Sequence, residues 1–110
     1  MSKEINKDIY YMRRAIEIAQ MGKGKTSPNP MVGCIIVKNN TIIGEGYHQK
    51  AGEPHAEVIA LNSARENVAQ STIYITLEPC AHFGKTPPCV NRIIESHPQR
   101  VVIAMEDPNP

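Results

Sequence analysis

The sequence predicts an α/β fold with three layers, a mixed central sheet held between helices. Three observations carry that expectation. The chain opens on an amphipathic segment, two apolar runs then flank a short polar turn, and two further helical segments each feed an apolar run. The first pair of strands should be antiparallel. Strands reached through helical crossovers should be parallel.

Residues 1–7 are polar and read as a frayed start. Over about residues 8–21, Ile9, Met12, Ile16 and Ala19 recur at helical spacing, with Asn6 or Asp8 as cap and Gly22 as stop. Residues 23–30, KGKTSPNP, form a polar loop in which Pro28 and Pro30 restrict the backbone around Asn29. Met31 to Val37 is nearly all apolar, as expected of a central strand covered on both faces. Lys38 to Thr41 make a turn, where Asn39 and Asn40 tolerate the positive φ of a tight hairpin. Ile42 to Tyr47 is the second strand, its alternation interrupted by Gly44 and Gly46.

Pro54 opens a helix over about 54–65, with Val58, Leu61 and Ala64 as its apolar face and Ile59 beside them. Ser71 to Leu77 is a strand with Ile73, Ile75 and Leu77 on one face and Tyr74 on the other. Glu78 to Pro88 is a loop. Thr86 can cap a third helix over about 87–96, with Pro87 at its first position and Val90, Ile93 and Ile94 facing inward. Arg100 to Met105 is the last strand, before the tail EDPNP, and its outer edge is exposed unless further residues or a partner cover it. Cys34 lies in an apolar strand and reads as core. His97, before Pro98, reads as a surface or capping residue.

The chain has 110 residues, enough for one domain or a piece of one. Hydrophobic residues make up 41% and charged residues 21%, which does not favour a disordered chain. Twelve basic and eleven acidic residues leave a formal charge of +1, so no nucleic-acid partner is expected from net charge. No apolar run is long enough to span a bilayer, and MSKEINKDIYYMRR has no signal-peptide core. A cytoplasmic location without membrane association is the resulting expectation. A homo-oligomer stays open.

Three cysteines, Cys34, Cys80 and Cys89, do not make a disulfide framework. His55, Cys80 and Cys89 instead supply one imidazole and two thiolates, a three-ligand zinc set whose fourth position is left for water. Zinc brings the pKa of bound water towards about 7. Glu57, two residues from His55, is not needed as a ligand and suits proton transfer. His55 would sit at the mouth of one helix, Cys89 in the first turn of another and Cys80 beyond a strand, where sites of open α/β sheets gather. A closed structural zinc site with His82 as fourth ligand, or two ordinary buried cysteines, are the plainer readings of the same residues.

Zinc deaminases carry H-x-E followed by P-C-x-x-C. His55-Ala56-Glu57 matches the first half. The second half departs, because eight residues separate Cys80 from Cys89. With that departure the chain resembles the zinc-dependent cytidine deaminase superfamily. The string Pro79-Cys80-Ala81-His82-Phe83-Gly84-Lys85-Thr86-Pro87-Pro88-Cys89 is more specific. So are Thr26-Ser27-Pro28-Asn29-Pro30 with Val32-Gly33, Gly44-Glu45-Gly46-Tyr47-His48, and Glu106-Asp107-Pro108-Asn109-Pro110. These resemble the deaminase domain of the bacterial bifunctional pyrimidine deaminase–reductases of riboflavin biosynthesis, over nearly all the chain.

The resemblance implies a cytidine deaminase-like α/β/α fold with a five-stranded sheet, of which four strands are visible. It also implies hydrolytic deamination of 2,5-diamino-6-ribosylamino-4(3H)-pyrimidinone 5′-phosphate, with Zn2+ as cofactor. Residues 1–110 would then be an N-terminal deaminase domain, truncated, with a reductase domain using NADPH beyond it. In the same light Asn29 positions the pyrimidine or ribose and His48 lines the same pocket. The long Cys80–Cys89 loop has room to reach past the base. Lys85 brings a point charge, and His82 and Thr86 can hydrogen-bond a phosphate or sugar. Asn109 completes the substrate-side candidates.

Two competing readings remain. Another zinc deaminase, acting on a free nucleoside or an RNA base, would want the compact cysteine spacing that this chain lacks. A noncatalytic zinc-stabilised interaction module has no use for Glu57 beside a three-ligand metal.

Overall fold

A computed structural model describes residues 3–22, 31–49, 55–77, 93 and 95–105. In chain order the elements are α1 (Lys3–Ala19), continued by a 3-10 turn (Gln20–Gly22), β1 (Gly33–Lys38), β2 (Thr41–Tyr47), α2 (Ala56–Ser63), β3 (Thr72–Leu77) and β4 (Arg100–Met105). The sheet order is β2-β1-β3-β4. β1 is antiparallel to both neighbours, and β3 and β4 are parallel, as the crossovers require. The C-terminal ends of β2, β3 and β4 therefore meet at the N-terminal end of β1. Of the predicted third helix, Ile93 and Glu95 have helical backbone, and the rest lies outside the described residues apart from Ser96 in a turn.

The hairpin turn forms as its asparagines predict. Asn39 and Asn40 have φ of 53° and 61°, the left-handed values that a two-residue connection needs. A bulge between Ile36 and Val37 shifts the β1–β2 register by one residue.

The two faces of the sheet carry separate cores. Tyr11, Ala15 and Ile18 of α1 pack on Ile35, Val37 and Tyr74. On the other face, Ala56 and Ala60 of α2 pack on Cys34, Ile36, Ile43, Ile73 and Ile75, with Ile93 against them. Cys34 is core, as expected, and His97 is exposed.

Two helices differ from expectation. α1 begins at Lys3, within the segment expected to fray, and Asp8 does not cap it. The Asp8 carboxylate instead accepts the Tyr74 hydroxyl and binds Arg100, tying the helix across β3 and β4. The inward stripe is also rotated. Of the expected stripe, Ala19 is buried and Met12 packs against the core, but Ile9 and Ile16 are exposed, and Tyr11, Ala15 and Ile18 take the inner positions. The aromatic ring of Tyr11 meets Tyr74 at 5.5 Å and its hydroxyl donates to the Asn40 carbonyl, so this amphipathic side chain takes an inner position beside Ala15 and Ile18.

α2 is shorter than the predicted 54–65, and it buries Ala56 and Ala60 where Val58 and Leu61 were expected, those two being half-buried. The cause lies in β2. A Cβ on Gly46 would come within 2.5 Å of the Ala60 nitrogen and 2.6 Å of the Ala56 carbonyl oxygen, and one on Gly44 within 2.6 Å of the Ala60 oxygen. The glycines let the helix backbone lie directly on the strand, and only small residues fit between.

Candidate active site

The end of the sheet where β2 stops and α2 starts gathers three of the predicted residues. His55 is the N-cap of α2, with extended backbone (φ −76°, ψ 164°). Its carbonyl accepts the first helical bond from the Ile59 N–H at 3.1 Å. Its imidazole makes no capping bond, so the ring is left for another use. Glu57 lies in the first turn, where the helix dipole favours a carboxylate. It is only 8% exposed, and no hydrogen bond or ion pair to its carboxylate forms among the described residues. A carboxylate that deep is normally paired.

His48 follows β2 and is 2% exposed. Its N–H donates to the Val32 carbonyl at 3.0 Å, extending the β1–β2 pairing past Gly33 and Tyr47. Its ring meets that of His55 edge to face, with centroids 5.2 Å apart. Two imidazoles and a buried carboxylate thus share one end of the fold. β3, which leads in sequence to Cys80, finishes at the same end.

Asn29, Cys80, His82, Lys85, Thr86, Cys89 and Asn109 lie outside the described residues. Among the described residues no three His, Cys, Asp or Glu side chains cluster as a metal site. The described portion nonetheless fits a zinc centre: an imidazole not used for capping and a buried glutamate without a partner among the described residues both lie at the start of α2.

One residue near this end was missed from the sequence. The Thr76 hydroxyl accepts a hydrogen bond from the Gly33 N–H at 2.9 Å. A hydroxyl at an inward strand position, opposite a glycine, was the available signal. A cleft of about 220 Å³ lies at the opposite end of the sheet, bordered by Asp8, Tyr11, Lys38, Tyr74 and Arg100. Its cations are already engaged, Lys38 with the Asn67 carbonyl and Arg100 with Asp8.

Residues 5–105 match the family model of the cytidine and deoxycytidylate deaminase zinc-binding region. The chain belongs to this family. A diaminohydroxyphosphoribosylamino-pyrimidine deaminase of Buchnera aphidicola (from Acyrthosiphon pisum) is 59% identical over 103 residues, which are 94% of this chain and 70% of that protein. The riboflavin biosynthesis protein RibD of Escherichia coli is 58% identical over the same share of this chain but only 28% of its own length. The solved structure of Acinetobacter baumannii RibD superposes with a TM-score of 0.83 at 53% identity, covering 98% of this chain and 30% of that one. The fold is accordingly cytidine deaminase-like, and zinc binding is a property of the family. The chain thus spans about 70% of the shorter relative and under a third of the longer ones. Among the described residues, no helix is long and apolar enough to cross a membrane.

Proposed function

We propose that this chain deaminates 2,5-diamino-6-ribosylamino-4(3H)-pyrimidinone 5′-phosphate by hydrolysis, releasing ammonia, as the deaminase step of riboflavin biosynthesis. The observation that carries the reading is Glu57, a buried glutamate in the first turn of α2, two residues from the N-cap His55 and without a partner among the described residues. The relatives' names supply the substrate.

His55, with Cys80 and Cys89, would hold zinc. When bound, zinc supplies Lewis acidity and an activated water. Glu57 accepts the two protons of the attacking water in turn and delivers one to a ring nitrogen and the other to the departing amine. Its burial keeps those protons from leaking to solvent. His48, packed on His55, forms the wall of the base pocket, and Asn29 orients the pyrimidine or ribose. His82, Lys85 and Thr86, between the cysteines in sequence, bind the phosphoribosyl end, and Asn109 is a further substrate contact. A reductase activity using NADPH belongs to this reading only where a longer chain carries a further domain.

The test is ammonia release from the phosphorylated diaminopyrimidine, its dephosphorylated form and cytidine, each with and without added zinc. Zinc-dependent release that favours the phosphorylated diaminopyrimidine is expected. Preference for cytidine, or tight zinc with no release from any of the three, overturns the reading.

A further inference from the structure

We propose that Thr76 is a positioning residue, whose hydroxyl fixes the start of β1 and, through the Val32 carbonyl, sets His48 against His55. The inference rests on the function proposed above for its consequence in turnover.

The β1–β3 ladder runs from Val37 opposite Thr72 to Cys34 opposite Ile75. One step further, Gly33 would face Thr76. There a side chain takes over from the backbone, and the Gly33 N–H donates to the Thr76 hydroxyl oxygen at 2.9 Å in a buried setting. Across β1, the Val32 carbonyl accepts the His48 N–H at 3.0 Å. The first residues of β1 are thus held from one side by Thr76, and hold His48 on the other. His48 in turn packs edge to face on His55. Every member of this chain of contacts is well buried except the half-buried Val32 and His55.

The glycine explains why a hydroxyl can act here. A Cβ at position 33 would run into the Ala15 carbonyl of α1, so the helix backbone closes directly over β1 at this point. Solvent is kept off the Gly33 N–H, and Thr76, itself 8% exposed, is the acceptor that satisfies it. Valine at 76 would keep the shape and remove the acceptor. Serine would keep the acceptor.

The experiment compares Thr76→Val and Thr76→Ser with the parent full chain, by amide hydrogen exchange and by steady-state ammonia release from the phosphorylated diaminopyrimidine. In Thr76→Val the Gly33 and His48 amides should exchange at least about tenfold faster. KM should rise more than kcat falls, for a loss of about 10–100-fold in kcat/KM. Thr76→Ser should restore both amides and most of the turnover. Parent-like exchange at His48 in Thr76→Val, faster exchange with unchanged KM, or a serine variant no better than valine would each overturn the proposal. An unprotected Gly33 amide in the parent would overturn it even if Thr76→Val does not fold. The exchange arm needs no substrate, so a parent that fails to release ammonia defeats the proposed function while the hydrogen-bond chain is still decided.

Discussion

The imidazoles of His48 and His55 stand edge to face at 5.2 Å, one closing a strand and the other opening a helix. His48 is almost wholly enclosed. His48→Ala therefore leaves His55 unsupported on one side, and supporting groups around a metal ligand typically contribute about 10–100-fold in affinity. Zinc affinity, measured by chelator competition, should fall towards the lower end of that range. An unchanged affinity would show that His55 keeps its place without His48.

Glu57→Gln should keep zinc and lose turnover. The amide preserves shape but cannot shuttle a proton, and a positioned acid or base contributes about 10²–10⁴ in rate. Metal analysis beside steady-state ammonia release separates the two properties. A metal-loaded variant with near-parent rate would remove Glu57 from the chemistry.

Lys85→Ala should weaken kcat/KM for the phosphorylated substrate more than for its dephosphorylated analogue. A hydrogen bond to a charged group is worth roughly 1.5–3 kcal/mol, and screening by salt draws the effect to the lower end, about tenfold. Zinc content should stay constant. Equal losses on both substrates would assign Lys85 to loop shape instead.

At the far end of the sheet, the Arg100 guanidinium holds the Asp8 carboxyl below its usual range, helped by the Tyr74 hydroxyl and opposed by burial. Burial, then the bond to Asp8, pushes the Tyr74 phenol up, so it stays protonated at neutral pH. Because the folded value of Asp8 is depressed, its stabilisation is present above the unfolded pKa of about 3.9 and is lost as pH falls through the folded value. Asp8→Asn should flatten the dependence of Tm on pH in that acid window. Tyr74→Phe should cost about 1 kcal/mol near neutral pH. The Arg100 side chain is 43% exposed, so its ion pair adds little beyond that. An Asp8→Asn protein with the parent's acid slope would contradict this account.

Gly46→Ala should destabilise the fold by more than about 2 kcal/mol, because the added carbon meets helix backbone that has no rotamer to change. Denaturant unfolding measures it. Parent-like stability would mean that α2 can lift off β2 without cost.

The order of elements and the mixed sheet were legible because periodicity reports them directly. Ile73 and Ile75 fall on one side of β3 and Tyr74 on the other, as alternation requires. The packed faces of the helices were less legible. In α1, Tyr11 packs inward while Ile9 and Ile16 face out, which hydrophobicity alone does not foresee. In α2, the reason for burying alanines lay in two glycines on another element. His55 and Glu57 stood out by their spacing, and the structure sets them at the N-cap and in the first turn of one helix. Their convergence with His48 depends on where β2 ends relative to α2, a relation that no local pattern encodes. Thr76 escaped because its partner is 43 positions away.

β1, β2 and α2 are consecutive elements of the chain, with His48 just after β2, His55 at the N-cap of α2 and Glu57 in its first turn. Their mutual placement closes only short loops, whereas β3 must return across β1, and β4 across the third helical segment. Contacts of short range form early and cheaply in a folding chain. The two imidazoles and the carboxylate are therefore brought to one end of the sheet by neighbouring stretches of chain, whereas β3, the strand that precedes Cys80, pairs across a longer one. On the proposed function, a metal held by His55, Cys80 and Cys89 would bridge this closely spaced stretch of chain and the sequence that follows β3, so its binding would tie near and distant parts of the sequence together.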